Sequence, residues 1–331
     1  MFFLFEDIAM PIQLDGLASS PTLYPLAYDP ARDLLMFVRM DAAAYRAASF
    51  LDERMNIRGE WAPASAVEQA MSGARAASPL HFIFHAGHVG STLLSRLLDE
   101  TGGVLPLREP LPLRAVAEHF SQSRLELLLR LWERGFEDTQ AVVLKATSST
   151  ERLATALLAM RPQARAVMLN VGAESYLATM LAGENSAADL NAQGAERMRR
   201  LGAMLASPPP RPTSLGELIV MSWAAERLTQ VQAARLLGER VIAVDFDAML
   251  DDVAATVARV LAHFSIAAPA SGGTYDKILA RYSKAPEHAY SPSLRKDLLA
   301  QARRNFGAEI REALAWLDNL KAANPSRAAL L

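Results

Sequence analysis

One segment constrains the fold of this chain more than any other. It reads Phe82-Ile-Phe-His-Ala-Gly-His-Val-Gly-Ser-Thr-Leu-Leu-Ser-Arg-Leu-Leu98. Its apolar start, its two glycines and the helical spacing of leucines after Ser91 predict a strand, a tight turn and a helix. A helix that begins directly after such a turn presents free backbone N–H groups, and glycines let an anion approach the backbone closely. The sequence therefore predicts an anion site at residues 87–92.

The type of anion site follows from a missing residue. A Walker turn needs G-x-x-x-x-G-K-[ST], and this chain has no lysine before Lys145, which disfavours an ordinary ATPase. We expect backbone N–H groups and two hydroxyls to hold a phosphate or sulfate group, with a charged His88 taking part of the role of a lysine. Because Ser and Thr also cap ordinary helices, a plain turn is the alternative. The predicted cradle consists of Gly87, His88, Val89, Gly90, Ser91 and Thr92.

Composition bounds the class of protein. Of 331 residues, 51% are hydrophobic and 21% charged, and the formal net charge is −2. These values predict a globular core and argue against a nucleic-acid binder. The chain has no cysteine, which excludes disulfides and thiolate metal ligands, and we expect no metal. The N-terminal residues fit a signal peptide poorly, and no run reaches the roughly 18 apolar residues of a membrane span, so we expect a cytoplasmic protein.

Strand and helix patterns alternate from Ser78 onward. Predicted strands cover residues 81–86, 103–107, 141–147, 165–171 and 240–246. Predicted helices cover residues 91–100, 111–134, 150–160, 172–183, 214–238 and 251–264. This alternation predicts an α/β fold: a parallel sheet with helices on both faces, whose ligands bind beyond the carboxyl ends of the strands.

Two segments lie outside this alternation. Residues 1–78 predict an extra N-terminal α+β layer of unknown role, with a strand at 34–39 and a helix at 42–52; residues 79–331 then form the main domain. Within it, residues 184–213 are polar and alanine-rich and end in a proline run, which predicts a helix followed by a stiff connector. This insertion is either a cap over the site or a passive excursion.

Two charged residues follow predicted strands. Pro110 restricts Glu109 to an extended backbone, which gives the carboxylate a defined position and suggests a general base; an ordinary salt-bridged glutamate is the alternative. Lys145 ends an apolar strand, and its ammonium group there needs an anion or carbonyl partners.

Two further places follow strands later in the chain. Asn170 ends a strand, and Gly172 opens a turn into the helix that carries Ser175, which implies either a second ligand-facing helix start or a plain connection. Arg281 and Lys284 fall in a predicted polar loop. Such a basic loop can close over a phosphorylated ligand or stay exposed.

In order and spacing, these motifs resemble the sulfotransferases that use 3′-phosphoadenosine-5′-phosphosulfate (PAPS), and most closely their bacterial branch. His88-Val-Gly-Ser-Thr-Leu-Leu94 resembles the family's R-S-G-[ST]-T-L-L loop. Leu107-Arg-Glu-Pro110 resembles its Glu-Pro, and Lys145-Ala-Thr147 its K-[ST]-P strand end. The run 240–250 is similar to its v-x-Y-E-D-L segment, and Arg281-Tyr-Ser-Lys284 falls at its late basic loop. The resemblance covers about residues 80–290.

The resemblance implies a P-loop, sulfotransferase-like fold with PAPS, or its product adenosine 3′,5′-bisphosphate (PAP), as co-substrate. It implies that Glu109 deprotonates a hydroxyl or amine of an acceptor, and that Lys145 and His88 stabilise charge on the bridging oxygen. The acceptor is a small molecule or a peptide of unknown identity, and an oligomer is compatible with the sequence. The donor-binding residues would be the cradle 87–92 together with Asn170, Ser175, Arg281 and Lys284.

Two departures from the family pattern matter. His88 stands where the family has Lys or Arg, and Asn170-Val-Gly172 stands where it has R-[DN]-P. A charged hydrogen bond contributes about 1.5–3 kcal/mol. Loss of the family's arginine without a replacement would therefore weaken donor binding roughly tenfold to a hundredfold. The candidates to replace it are Arg165, Ser175 and Lys284.

Two other functions stay open on the sequence. One is a P-loop phosphotransferase in which Asp245 or Asp247 holds Mg²⁺, although the missing Walker lysine counts against it. The other is a non-catalytic binding protein that kept the fold.

Overall fold

A computed structural model describes residues 12–73, 78–183, 186–268, 275–283, 285–289 and 291–331. Its strands are β1 Leu23–Asp29, β2 Leu34–Arg39, β3 Glu60–Pro63, β4 Leu80–His85, β5 Val104–Arg108, β6 Ala141–Lys145, β7 Ala166–Asn170, β8 Val241–Asp245, β9 Arg281–Tyr282 and β10 Ala285–Ala289. Its helices are α1 Ala42–Ala47, α2 Ala64–Ala70, α3 Ser91–Asp99, α4 Leu111–Glu118, α5 Gln122–Trp132, α6 Ala154–Met160, α7 Ala173–Leu181, α8 Ser186–Met204, α9 Leu215–Leu237, α10 Phe246–Asp251, α11 Val253–Phe264, α12 Asp276–Leu279, α13 Pro292–Asn305, α14 Gly307–Ala323 and α15 Pro325–Ala328. Short 3-10 helices span Glu53–Met55, Ser148–Leu153 and Gly238–Arg240.

The central element is a five-stranded parallel sheet in the order β5-β6-β4-β7-β8. β5 runs beside β6, with Arg108 opposite Lys145, and β7 runs between β4 and β8, with Asn170 opposite Asp245. Every residue of β4, β5, β6 and β7 is buried. Strands covered on both faces need such continuous apolar runs. The predicted α/β class is confirmed, and each predicted strand of this sheet lies within two residues of its observed ends.

The described chain divides into two compact units. Unit one comprises the described residues up to His81 together with Gly102–Lys145. It contains an antiparallel three-stranded sheet in the order β1-β2-β3, which is part of the extra N-terminal α+β layer that the sequence predicts. Around it, Tyr24 and Tyr45 pack edge to face at 5.6 Å. The predicted helix 42–52 is shorter than expected and ends at Ala47.

Unit two comprises Phe82–Thr101 and the described residues from Ala146 onward. Its inserted helix α8 packs along α9 through buried ion pairs. Arg197 Nε and Arg200 Nη2 of α8 contact Glu226 Oε1 of α9 at 2.8 and 3.0 Å. Because Arg197 and Glu226 are both buried, α8 is held against α9 by its charged side chains as well as by its apolar ones.

Three predicted segments differ from the structure. The stretch 111–134 forms two helices, because Ser121 caps the second one by accepting a hydrogen bond from the Arg124 N–H. Asp252 likewise caps α11, which separates it from α10. The predicted loop at 281–284 starts with β9, which pairs antiparallel with β10. None of the helices in the described ranges is long and apolar enough to cross a bilayer.

Candidate functional site

The turn after β4 has the backbone of an anion-binding loop. Gly87, His88 and Gly90 have φ values of 87°, 53° and 75°, all in the left-handed region. The Gly87 N–H donates to His85 Nδ1 at 3.0 Å, and Tyr176 Oη donates to the Ala86 carbonyl at 3.0 Å. These two bonds fix the entry of the turn. One N–H of the predicted cradle, that of Gly87, is therefore used inside the protein.

Gly90 is required for a reason that the sequence analysis did not foresee. A Cβ atom at this position would lie 2.1 Å from the Phe246 ring, and the left-handed φ already favours glycine. The close approach that Gly90 permits is therefore to Phe246, the first residue of α10. Gly87 is less restricted, since a Cβ there would lie 3.4 Å from Ser148 Oγ.

The start of α3 carries polar groups that the described residues do not satisfy. Gly90 is its N-cap and offers no side-chain hydrogen bond. Among the described residues, no hydrogen bond has the N–H of Val89, Gly90, Ser91 or Thr92 as its donor. The Thr92 hydroxyl is buried, with the residue 2% exposed, and it too has no partner in the described part of the chain. A buried hydroxyl without a partner costs about 1–3 kcal/mol, so this hydroxyl is available to donate to a bound ligand or water.

These groups surround a small cavity of about 100 Å³. A water molecule needs roughly 10–15 Å³ of such space, so a tetrahedral oxyanion fits. The helix start adds a favourable dipole to the N–H donors. The cavity is lined by His88, Val89, Gly90, Ser91, Thr92, Leu93, Thr179, Phe246, Ser283 and Arg295.

Arg295 is the charged residue of this cavity that the sequence analysis missed. Its guanidinium carbon lies 4.4 Å from the centre of the Phe246 ring, and its Nη2 donates to Asp247 Oδ1 at 2.9 Å. Nothing local could have revealed it, because Arg295 lies on α13, far along the chain from the turn. The only available signal was its charge, which it shares with many surface arginines.

The predicted late basic segment reaches the cavity in part. Ser283 lines it, and its carbonyl accepts a hydrogen bond from Arg96 Nε of α3 at 2.8 Å. Arg281 is exposed, and Lys284 lies outside the described residues. The suggestion that Arg165 replaces a lost cation is wrong. Arg165 precedes β7 at its amino end, where its Nη1 donates to Ser265 Oγ at 3.2 Å.

Asn170 and Ser175 lie elsewhere in unit two. The Asn170 amide donates to Gln230 Oε1 at 2.9 Å and accepts from Trp223 Nε1 at 3.1 Å. It lines a second cavity, of about 460 Å³, at the ends of β7 and β8. Ser175 does not line the first cavity, but its carbonyl accepts from the Thr179 hydroxyl, one turn later on α7, which does. Their roles in donor binding stay predictions.

A buried group of charges lies beneath the turn in unit two. Arg197 Nη2 donates at 3.4 Å to Ser148 Oγ, the oxygen that adjoins Gly87. Burial raises the pKa of Glu151, and the charge of Glu226 raises it further. The raised pKa favours the neutral form of this side chain.

The pKa of Glu226, in the same buried group, shifts in the opposite direction. Burial alone would raise its pKa, but Arg200 and Arg197 outweigh burial and lower it. The two glutamates of this group therefore take different protonation states, and Glu226 is the charged partner of both arginines.

Glu109 and Lys145 lie in unit one and contact each other. The Lys145 ammonium, which is fully buried, donates to Glu109 Oε1. Glu109 Oε2 lies 3.3 Å from Arg54 Nη2 and 3.6 Å from Arg114 Nη2. Asp52, also fully buried, pairs with the same two arginines and is 3.0 Å from Arg114 Nη2. We call Asp52, Arg54, Glu109, Arg114 and Lys145 the ion-pair cluster.

The backbone at Glu109 differs from its prediction. The following proline predicts an extended conformation, whereas φ is 57°, in the left-handed region. The Glu109 N–H donates to the Lys145 carbonyl at 2.7 Å, so the same two residues are joined by backbone and by side chain. Asp52 and Arg54 were missed, because residues 1–78 carried no recognisable motif. Whether Glu109 acts as a base stays a prediction.

The two residues considered for Mg²⁺ have other partners. Asp245 caps α10 by accepting from the Ala248 N–H at 2.9 Å, and Asp247 pairs with Arg295. Within the described ranges, no three His, Asp or Glu side chains form a group suited to a metal ion.

Comparisons with known proteins give structural likenesses that include two sulfotransferases. No family model matches the sequence, and no curated protein matches it. The chain is similar to a sulfotransferase from Alicyclobacillus acidocaldarius, at 16% identity and a TM-score of 0.40 over 73% of this chain and 99% of that one. It is also similar to the sulfotransferase domain of the curacin biosynthetic pathway, at 12% identity and a TM-score of 0.38 over 74% and 98%. At such values neither likeness says anything about activity in this chain.

Proposed function

We propose that the turn at residues 87–92 binds the 5′-phosphosulfate of PAPS, and that the protein transfers the sulfuryl group to a hydroxyl or amine. The observation that carries the proposal is the set of unused donors at the start of α3. Several N–H groups and the buried Thr92 hydroxyl point to an oxyanion ligand and have no partner among the described residues. A metal ion would be repelled by the same donors.

The sequence motifs supply the identity of the ligand. The cradle resembles the donor loop of PAPS-dependent sulfotransferases, and it lacks the lysine of ATP-binding turns. In the proposed reaction, the acceptor atom forms a bond to sulfur while the bond between sulfur and the phosphate oxygen breaks. PAP leaves with that electron pair, and the acceptor proton passes to a base. The roles of Glu109, Lys145 and His88 in this step remain those that the resemblance implies.

Ligand-dependent thermal unfolding tests donor binding. Full-length protein is heated with PAP, ATP, ADP or coenzyme A, since a ligand selective for the folded form raises its melting temperature. We expect a concentration-dependent rise with PAP alone. A rise with ATP that requires Mg²⁺ would replace the proposal with a phosphotransferase. No rise with any of the four would leave the turn without a nucleotide ligand and overturn the proposal.

Two substitutions at one position identify the site. Thr92→Val removes the unused hydroxyl and keeps the shape, so we expect PAP affinity to fall by roughly two- to tenfold. Thr92→Ser keeps the hydroxyl and should bind nearly as the native chain does. Equal affinity of all three proteins would place PAP elsewhere.

Transfer itself is tested with PAPS and a panel of phenols and primary amines. We expect turnover with at least one acceptor, and its loss in Glu109→Gln with PAP binding preserved. PAP binding without transfer to any member of the panel would favour a non-catalytic binding protein.

A further inference from the structure

The cradle lacks the cation that an oxyanion site usually has. No lysine or arginine occurs between Gly87 and Thr92. Of the described residues that line the cavity, Arg295 is the one with a permanent positive charge. Its side chain is only 11% exposed, so its charge is directed into a partly desolvated space where it acts strongly on an anion.

Phe246 fixes Arg295 relative to the cradle. The ring of Phe246 occupies the space that a side chain at Gly90 would need, and the Arg295 guanidinium lies over that ring at 4.4 Å. The backbone of the cradle and the guanidinium thus contact the same aromatic side chain. A guanidinium held over an aromatic ring keeps its N–H donors directed outward in its plane, where an anion can accept from them.

The anion that Arg295 now contacts is a weak competitor for it. Asp247 uses one oxygen, Oδ1, which accepts from Arg295 Nη2 at 2.9 Å and from Nε at 3.3 Å. Its carboxylate is 43% exposed, and ion pairs with an exposed partner contribute little. A phosphate or sulfate in the cavity would add the N–H donors of α3 to the attraction of the guanidinium.

We infer that Arg295 supplies the missing cation of the anion site, from α13 instead of from the turn, and that Asp247 holds it until an oxyanion takes its place. This inference rests on the proposed donor site and names the residue that replaces the family's cradle cation. It also accounts for Phe246 at Gly90, since a smaller side chain would leave the guanidinium unsupported.

Calorimetric titration of PAP into four proteins tests the inference. Arg295→Gln should weaken binding roughly tenfold to a hundredfold, the loss expected for a charged hydrogen bond. Arg303→Gln is the matched control, because Arg303 lies on the same helix and pairs with Glu174 at 2.7 Å but does not line the cavity. It should bind PAP as the native protein does. Arg295→Lys should retain most of the affinity, which separates loss of charge from loss of fold.

The sharpest variant is Asp247→Asn, which removes the competing carboxylate. A structural ion pair would be damaged by it, whereas a displaceable one releases the guanidinium. We expect binding roughly two- to fivefold tighter than that of the native protein. Unchanged affinity in Arg295→Gln, or weaker binding in Asp247→Asn, would overturn the inference.

Inorganic sulfate, titrated into the same proteins, separates this inference from the proposed function. Arg295-dependent binding of sulfate without binding of PAP would overturn PAPS as the ligand and support Arg295 as the cation of the anion site. Binding of PAP that does not depend on Arg295 would support PAPS as the ligand and overturn the role of Arg295. Binding of neither probe would overturn both.

Discussion

The turn at residues 87–92 and the ion-pair cluster both carry groups made for holding charge, and they differ in what those groups contact. In the cluster, both oxygens of Glu109 meet cations, and the buried Asp52 and Lys145 each have a partner within the same unit. At the turn, the N–H groups that open α3 and the Thr92 hydroxyl have none in the described part of the chain. Charges that pair with one another are typical of structural ion pairs, whereas donors without a protein partner are available to a ligand or water.

The difference shows why motifs alone rank sites poorly. Lys145 and Glu109 match the family pattern as well as the cradle does, yet their side chains already neutralise each other. Arg295 matches no motif and stands beside the unsatisfied donors. The two regions are distinguished by whether their polar groups have protein partners, and not by how well they match a sequence motif.

The substitution that we expect to cost the most stability disrupts the ion-pair cluster. Lys145→Met removes a fully buried cation and leaves Glu109 to its two arginines, so we expect a loss of about 3–5 kcal/mol in the free energy of unfolding. Urea denaturation measures it. The double variant with Glu109→Gln should be more stable than Lys145→Met alone, because the carboxylate oxygen that lost the ammonium group is then replaced by a neutral amide. A cost below about 1 kcal/mol would contradict a structural role for the pair.

The next effect concerns the packing of the turn. Gly90→Ala adds a Cβ against Phe246 in a left-handed backbone, and we expect a cost of about 2–4 kcal/mol. Gly102→Ala is the control, because Gly102 has a φ of 80° and no neighbouring atom within 4 Å of the added carbon. It should cost only about 1 kcal/mol. Equal losses in the two variants would show that Phe246 does not press on the turn.

The two buried glutamates beneath the turn differ in the direction of their pKa shifts, and the pH dependence of stability tests that difference. The pKa of Glu151 is raised in the folded protein, chiefly by burial, so unfolding at a pH between its ordinary and its raised pKa releases a proton. Its stabilising effect is complete below the unfolded pKa and declines as pH rises toward the folded one, by up to about 1.4 kcal/mol per pH unit. Glu151→Gln should remove this decline from plots of unfolding free energy against pH and raise stability at neutral pH.

Glu226→Gln is the matched variant of that experiment. The pKa of Glu226 is lowered, so its contribution is present above the unfolded pKa and is lost as pH falls through the folded one. We expect Glu226→Gln to destabilise the protein at neutral pH, since Arg197 and Arg200 lose their charged partner. The same sign for both substitutions at neutral pH would refute the assigned protonation states.

The smallest effect is the most specific to the turn. Without ligand, Thr92→Val removes a buried hydroxyl that has no partner among the described residues, and we expect a gain of up to about 1 kcal/mol in unfolding free energy. Thr150 is the control, being fully buried with its hydroxyl donating to the Thr147 carbonyl at 2.8 Å. Thr150→Val should cost about 1 kcal/mol. Destabilisation by Thr92→Val would mean that this hydroxyl is already satisfied.

Much of the fold could be predicted from the sequence. The strands of the parallel sheet are short apolar runs, and the repetition of strand and helix fixed their parallel arrangement. The helix ends were harder, because a single cap such as Ser121 or Asp252 divides a continuous apolar pattern. The conformation of Glu109 was mispredicted, since the preference before proline is weak enough for ion pairs to override it.

For the turn, local sequence is enough to predict the strand, the glycine bend and the start of α3, because these depend on neighbours within a few residues. It could not determine which polar groups would find partners. That Lys145 meets Glu109, that Phe246 fills the space at Gly90, and that Arg295 lies at the cavity were decided by tertiary structure. Side-chain partners come from distant parts of the chain, and local propensity carries no information about them.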